Sequence, residues 1–492
     1  MTFRTARRLA GVVALVAAGL PIYLSIRGSS RPNAFLNQSY ATLAAIIVAV
    51  SGAVISARVF LLSDAAAAPF QQALNQWRGL KPLQGHWGLC FVVAILALGL
   101  HGELIRQQRP FKDVQYVDDE VDYLRVSKEI QALPGGVAGL LPALYRGEFA
   151  EDNRHPLYPA LLATGEQVKL GDRSLLLIPT ELSKAFGLFV VLATTIIGRK
   201  LFGPAVGALS GLLLAFNGAL IQSSSLIACE TLLVLLTTLA WHGAARLLAS
   251  EPAGAEGEKP TKASASVPVL QAIVVGLFFG LAYLTKASAA FPLFILLALL
   301  VIGRDRRGFS SRRAAALVLC SFIVVASPLL VRNALRYHNP LHSFNNKLLF
   351  AESYESGVAE PDLGAVGNLR RFLDRQPVKE IVVDRFLGGI AWEAFVLLRS
   401  LGPWPFDSGR AVIGALLIVF AAVGMWTESG RRLAPTFLML WAAWFVVFFG
   451  WYQPIAAGDR FLLPLAPPLT IAASLGMLTS LRAVLSPEKN SP

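Results

Sequence analysis

The stretch AAALVLCSFIVVASPLLV, residues 314–331, is an apolar run long enough to cross a lipid bilayer as a helix. It follows the basic loop RDRRGFSSRR at 304–313 and ends immediately before Arg332 and Asn333. Other apolar runs of the chain likewise carry basic loops at one end and isolated polar residues at the other. The stretch therefore predicts a membrane-spanning helix and also its orientation.

The composition is that of a membrane protein. Hydrophobic residues make up 55% of the 492 residues and charged residues only 15%, whereas a soluble chain of this length needs more charged surface. The net charge of +13 comes from basic residues in short loops, which is typical of orientation signals and anionic-lipid contacts. No nucleic-acid partner is predicted. The three cysteines lie inside apolar runs and indicate no disulfide or metal framework.

Apolar runs of about 15 to 23 residues predict an all-α integral membrane protein with about 12 transmembrane helices. They lie at roughly 9–26, 41–63, 88–104, 175–197, 205–222, 226–248, 269–285, 288–303, 314–331, 411–427, 434–452 and 461–482. The predicted organisation is a transmembrane hairpin at 1–70, a core at 88–331, an outer segment at 332–410 and C-terminal helices at 411–485. The core includes an outer loop at 105–174 with surface helices near 119–132 and 138–147.

Basic residues in the short loops predict the topology. With a cytoplasmic N-terminus and twelve crossings, the loop at 304–313 and the basic pairs at 199–200, 259–262 and 431–432 all lie in the cytoplasm. The long segments 105–174 and 332–410 then lie on the periplasmic or extracytoplasmic side of the inner (plasma) membrane. Long loops of this kind usually carry function.

The stretch QYVDDEVDY, residues 115–123, places four carboxylates directly after an apolar run. Charge is expensive at a membrane, so such groups normally face one another or a water-filled cavity. Further charges lie at the predicted outer ends of helices: Glu230, Lys286, Arg332, Asp459 and Arg460. We therefore expect one polar cavity at the outer interface, negative on one side and positive on the other.

Structural explanations of these residues remain open. The acidic cluster could be a solvated loop before a helix, and Glu230 could pair with Lys286 only to hold two helices together. The basic residues at helix ends could snorkel to lipid headgroups. Arg154 and His155 could form an ordinary turn back into the membrane, shaped by the prolines around them.

The motifs, taken in order, resemble those of the GT-C membrane glycosyltransferases, in particular the branch of the protein O-mannosyltransferases and bacterial aminoarabinose transferases. The matching residues are Asp119, Glu120 and Tyr123, then Arg154, Pro156, Leu157, Tyr158 and Pro159, then Glu230, then Leu284, Thr285 and Lys286, then Pro328, Arg332 and Asn333, and finally Arg460, Pro464 and Pro467. The resemblance covers roughly residues 88–480. The chain departs from it in the preceding hairpin, in Asp118, and in a glutamate at 230 where many relatives carry aspartate.

The resemblance implies a polyprenyl-phosphate-linked sugar donor, attacked by an acceptor hydroxyl on the non-cytoplasmic face with inversion at the anomeric carbon. An inverting displacement needs one carboxylate base, and a phosphate leaving group needs cationic stabilisation. Asp119 is the predicted base and Glu230 its catalytic partner. Lys286, Arg332 and Arg460 are predicted to bind the phosphate of the donor, whose polyprenyl chain lies in the membrane lipid.

The remaining site residues are predicted to position the acceptor or the loop: Asp118, Glu120, Tyr123, Arg154, His155 and Tyr158. The aspartate pair leaves open whether Asp118 or Asp119 is the base, and whether both hold a divalent cation. No other cofactor is predicted. The alternative function is a multi-pass transporter or flippase of a lipid-linked or small polar substrate, using the same charges as a pathway. The sequence identifies neither the sugar nor the acceptor, which could be a protein, a lipid or a glycan.

Overall fold

The computed structural model describes residues 87–108, 118–167, 179–249, 262–302, 311–404, 409–427, 433–456 and 458–485. Within these ranges the chain is helical, and the one β-type pairing is an isolated bridge between Asn217 and Pro403. The predicted all-α class is thereby confirmed. The predicted hairpin at 1–70 lies outside the described residues.

The described helices are numbered in chain order. The first are α1 (Trp87–Gln108), α2 (Asp118–Gln131), α3 (Val137–Tyr145), α4 (Leu157–Gln167), α5 (Pro179–Phe202), α6 (Pro204–Ala215), α7 (Gly218–Ser224), α8 (Glu230–Ala249), α9 (Lys262–Thr285) and α10 (Ala290–Ile302). They are followed by α11 (Ser311–Tyr337), α12 (Asn345–Leu348), α13 (Tyr354–Ala359), α14 (Gly364–Arg375), α15 (Gly388–Leu401), α16 (Arg410–Thr427), α17 (Leu433–Tyr452), α18 (Asp459–Leu462) and α19 (Ala466–Leu485). A π-helix at Glu380–Leu387 runs directly into α15.

Six helical stretches among the described residues are long and apolar enough to cross a membrane. They are α5, α8, α11, α16, α17 and the stretch that runs from α18 into α19. Shorter apolar helices include α6, α10 and the second half of α9. The chain is thus a multi-pass membrane protein, while the number of twelve crossings stays a prediction.

Helix α8 and the α18–α19 stretch form the centre of the bundle. In each of them 72% of the most apolar window is buried inside the protein, against 39% or less in the other four. Close backbone contact at Gly424 and Gly476 packs α16 onto α19: a Cβ at Gly424 would lie 2.0 Å from the Ala472 carbonyl oxygen. Small residues permit such close approach in membranes, where van der Waals packing drives association.

An outer layer is built from α2, α3 and α4, which share a cluster of buried side chains: Val126, Ile130, Leu140, Ala143, Leu144, Phe149 and Ala163. Helices α2 and α3 correspond to the two surface helices predicted near 119–132 and 138–147. The sequence did not single out α4 or α15. The latter lies within the predicted outer segment at 332–410 and packs against α16 and α17.

Candidate active site

The candidate site lies where helix ends from distant parts of the chain meet α2. Glu230 is the first residue of α8, and Lys286 directly follows the last residue of α9. Because α8 and α9 are consecutive and packed together, the start of one and the end of the other lie at the same side of the bundle. Arg460 lies in α18, after Gly458 turns the chain with a φ of +140° that glycine tolerates. We call the membrane face at which these helix ends lie the site face.

Asp119, in the first turn of α2, is held by two arginines. Its Oδ1 accepts a hydrogen bond of 2.6 Å from Arg154 Nη2, and its Oδ2 accepts one from Arg460 Nη1. Burial acts to raise the pKa of Asp119, but the guanidinium groups of Arg460 and Arg154 outweigh it and lower this pKa to about 2. The side chain stays 28% exposed, so a small polar group can reach the carboxylate.

Glu230 and Lys286 form the second ion pair of the site, with 2.9 Å between Oε1 and Nζ. Glu230 is buried, and its Oε2 has no hydrogen-bond partner within the described part of the chain. Lys286 Nζ lies 4.8 Å from the ring centroid of Phe461, and Arg460 Cζ lies 5.1 Å from the same centroid. The ring of Phe461 is therefore shared by the two cations.

The described charges of the site are balanced. Asp119, Asp122 and Glu230 are acidic, and Arg154, Lys286 and Arg460 are basic; each acidic side chain contacts at least one of the basic ones. Because each cation contacts a carboxylate, an entering anion shares Arg460 or Lys286 with that carboxylate or displaces it. The arrangement can thus exchange its internal ion pairs for contacts with a phosphate.

Helix α2 is fixed to the start of α8 by two side chains. Glu120 is buried and its Oε1 accepts the backbone N–H of Ile227 over 2.8 Å. The hydroxyl of Tyr123 donates to Cys229 Sγ over 2.9 Å. These bonds bring Asp119 alongside Glu230, so Glu120 and Tyr123 support the site from behind.

His155, in the loop before α4, and Tyr158, in the first turn of α4, are buried and fix this loop to the helices beneath it. The Tyr158 hydroxyl lies 2.6 Å from Ser183 Oγ, and its ring meets that of Tyr123 edge to face at 5.1 Å. His155 Nδ1 hydrogen-bonds to the carbonyl of Tyr283 on α9. Burial lowers the pKa of His155 to about 4, so the ring is neutral at physiological pH and orients the loop without charge.

Arg332 is placed differently from the other predicted phosphate ligands. It is 3% exposed and donates through Nη1 to the backbone carbonyl of Glu151, so it ties α11 to the loop that carries Arg154. Its Cζ lies 5.4 Å from the Tyr337 ring centroid. Its contacts in the described part of the chain are with Glu151 and Tyr337 and not with Asp119 or Glu230, so its role as a phosphate ligand stays a prediction.

Sequence reasoning named Asp459 but missed the charged side chains around it, behind Arg460. Asp459 is buried and contacts Arg399 Nε at 2.8 Å and Arg410 Nη2 at 3.1 Å. Nearby on α15, Glu393 is fully buried, and neither carboxyl oxygen has a hydrogen-bond partner within the described residues. Glu393 and Arg399 are the two charged residues in the otherwise apolar run GGIAWEAFVLLRSL, and this contrast could have identified them from the sequence.

The predicted cation site is not tested by the structure. The side chain of Asp118 lies outside what the structure describes. Among the described side chains, no three from His, Cys, Asp and Glu are grouped so that they could hold a metal ion. Binding of a divalent cation by Asp118 and Asp119 stays a prediction.

Comparisons with known proteins give similarity to solved structures only. No family model matches the chain, and no curated protein matches it. ArnT from Cupriavidus metallidurans is similar in the apo state, with 14% identity, a TM-score of 0.45 and coverage of 79% of this chain and 59% of that one. The same protein bound to undecaprenyl phosphate gives 16% identity, a TM-score of 0.48 and coverage of 80% and 60%.

An oligosaccharyltransferase from Archaeoglobus fulgidus, tethered with an acceptor peptide, is similar at 14% identity and a TM-score of 0.47. The match covers 80% of this chain and 50% of that one. The chain therefore spans 50% to 60% of the length of these structures. At these identities and scores the similarity carries no argument about family, substrate or mechanism.

Proposed function

We propose that the protein is a membrane glycosyltransferase that moves a sugar from a polyprenyl-phosphate donor to an acceptor hydroxyl on the non-cytoplasmic face. One observation carries the proposal. A partly exposed carboxylate, Asp119, and two cations at helix ends, Lys286 and Arg460, meet in a single site. Such a site provides a base for a hydroxyl and counter-charges for a phosphate at the edge of the membrane.

The reaction is a single displacement. The acceptor oxygen forms a bond to the anomeric carbon while the bond from that carbon to the phosphate oxygen breaks, which inverts the anomeric configuration. The acceptor proton passes to Asp119, and the bonding electron pair leaves with the phosphate. Lys286 and Arg460 stabilise the charge that develops on the leaving phosphate. Glu230 holds Lys286 in place through the 2.9 Å ion pair.

Donor binding prepares the base. With Arg154 and Arg460 both in contact, the pKa of Asp119 is about 2, so this carboxylate is a weak base before the donor enters. A donor phosphate competes with Asp119 for Arg460, because charge-assisted hydrogen bonds to phosphate and to carboxylate are of similar strength. Loss of the Arg460 contact raises the pKa of Asp119 and increases its basicity.

The test uses the full-length protein in lipid nanodiscs with a panel of polyprenyl-phosphate sugars carrying a radiolabelled sugar. A membrane extract from cells that lack the protein supplies the acceptor. We expect release of free polyprenyl phosphate and transfer of label to the extract, and neither with Asp119→Asn. Retention of every donor intact would overturn the proposal. In liposomes, movement of intact donor across the bilayer would instead identify a flippase or transporter.

A further inference from the structure

Helix α14 exposes an apolar stripe to its surroundings. Val366, Leu369 and Leu373, spaced three and four residues apart, lie along one side of the helix. These residues, called here the α14 stripe, are 81%, 36% and 52% exposed. Val378, Val382 and Phe386, in and before the π-helix that follows, are exposed as well. Contiguous apolar surface of this kind marks an interaction site.

A different face of α14, not the stripe, packs against the rest of the protein. Phe372 is 3% exposed and its ring lies 5.7 Å from that of Trp451, in the last turn of α17. Arg385 stacks on both rings at 4.7 Å and donates to the carbonyl oxygens of Trp451, Ala351 and Leu349. These contacts fix α14 at the level where α17, a membrane-capable helix, ends.

That level is also the site face, because α17 ends at Tyr452 and α18 begins with Asp459 and Arg460 only a few residues later. Charged side chains are exposed beside the stripe and behind it: Arg370 and Asp374 flank the stripe, and Arg375 lies on the opposite side of α14. Within α14 there are three arginines, Arg370, Arg371 and Arg375, and one acidic residue, Asp374, while Glu360 before the helix pairs with Arg371 and Arg375. An apolar stripe beside an exposed charged side that carries arginines is the pattern of a helix that lies in a membrane interface.

We propose that α14 lies flat in the headgroup region of the leaflet at the site face, with lipid covering the α14 stripe. The helix is fixed to the end of a membrane span, so its depth follows from the fold. A lipid leaflet covers the exposed apolar side chains along the whole segment, and the arginines beside the stripe reach its headgroups. This inference is independent of the proposed transfer reaction.

The experiment measures the surroundings of single cysteines in the full-length protein. Cys90 and Cys320 are replaced by serine, and Cys229 is retained because it is buried. Val366→Cys and Leu373→Cys test the stripe, and Asp374→Cys tests the charged side of the same helix. Each variant carries a nitroxide label in nanodiscs of mixed zwitterionic and anionic lipid. Collisions with oxygen, which partitions into lipid, are compared with collisions with a water-soluble nickel chelate.

We expect the ratio of oxygen to nickel accessibility to be several-fold higher at 366 and 373 than at 374. Equal, water-like ratios at all three positions would overturn the inference. Dipolar coupling between labels at 366 on two protein copies would overturn it too, because a second copy would then cover the stripe. All three substitutions are at exposed positions and leave the buried face of α14 intact, so the fold is retained.

Discussion

Two charged clusters meet at α18 and differ in their access to solvent. In the Asp119 cluster (Asp119, Arg154 and Arg460) the carboxylate is 28% exposed and Arg460 is 40% exposed. In the Asp459 cluster (Asp459, Arg399 and Arg410) the carboxylate is 7% exposed and its partner Arg410 is 9% exposed, while Arg399 reaches the surface at 37%. One step along the chain, from Asp459 to Arg460, separates a buried ion pair from an accessible one.

The difference indicates a division of roles. An accessible ion pair can open and give its charges to a ligand at little cost, whereas opening a buried pair leaves an uncompensated charge in a region of low dielectric constant. The Asp119 cluster is therefore suited to chemistry. The Asp459 cluster is suited to holding α15, α16 and α18 together, which keeps Arg460 directed at Asp119.

The sharpest test of this comparison is Asp119→Asn. The amide keeps the shape of the side chain but cannot take a proton, so we expect turnover to fall about 10²- to 10⁴-fold while the protein remains folded. Turnover is measured as release of polyprenyl phosphate. Asp122→Asn is the matched control, because Asp122 lies on the same helix and contacts Arg154 but not Arg460. Equal losses in both variants would remove the special role of Asp119.

Mutation of the Asp459 cluster should lower the stability of the folded protein. Asp459→Ala leaves the buried guanidinium of Arg410 without its carboxylate, and we expect a loss of about 3 kcal/mol in the free energy of unfolding. The thermal midpoint of the detergent-solubilised protein reports the change. Asp374→Ala, which removes an exposed carboxylate, should leave the midpoint nearly unchanged. An unaltered midpoint for Asp459→Ala would mean that this cluster is not structural.

Lys286→Ala asks whether the second cation of the site binds the donor. Loss of one hydrogen bond to a charged group costs about 1.5–3 kcal/mol, which corresponds to about a 10- to 100-fold weaker donor affinity. We expect KM for the donor to rise, and Lys286→Arg to restore part of the affinity. Lys347→Ala, which removes the same charge from the outer segment, is the control. Unchanged donor affinity together with a lower thermal midpoint would leave Lys286 a purely structural partner of Glu230.

The sequence identified the residues whose charge stands out against an apolar background. Glu230 lies near the start of one apolar run and Lys286 directly after another, and because charge is costly in a membrane both residues can be recognised without a structure. The order of the helices then decides which ends share a face. The spacing of residues could not show which group a side chain contacts. Arg332 was predicted to bind phosphate, but in the structure it donates to the backbone carbonyl of Glu151.

The helix α15 was not visible for a related reason. It is 14 residues long, shorter than a membrane-spanning run, and it lies in a stretch punctuated by proline and charge. Its residues Glu393 and Arg399 therefore read as part of a polar outer segment. Asp459, the partner of Arg399, lies 60 positions further along the sequence, and only tertiary packing brings the two side chains together.

The smallest expected effect is on the pH dependence of stability, which tests the ion pairs of the Asp119 cluster. The pKa of Asp119 is about 2 in the folded protein and about 4 in an unfolded chain. A lowered folded-state pKa contributes stability that is present above the unfolded value and lost as the pH falls through the folded one. The thermal midpoint of the wild type should therefore exceed that of Asp119→Asn above about pH 4, and the two should converge as the pH falls towards about 2. A gap between the midpoints that stays constant over this window would show that the ion pairs of Asp119 with Arg154 and Arg460 do not stabilise the fold, and would leave the accessible cluster with a role in chemistry alone.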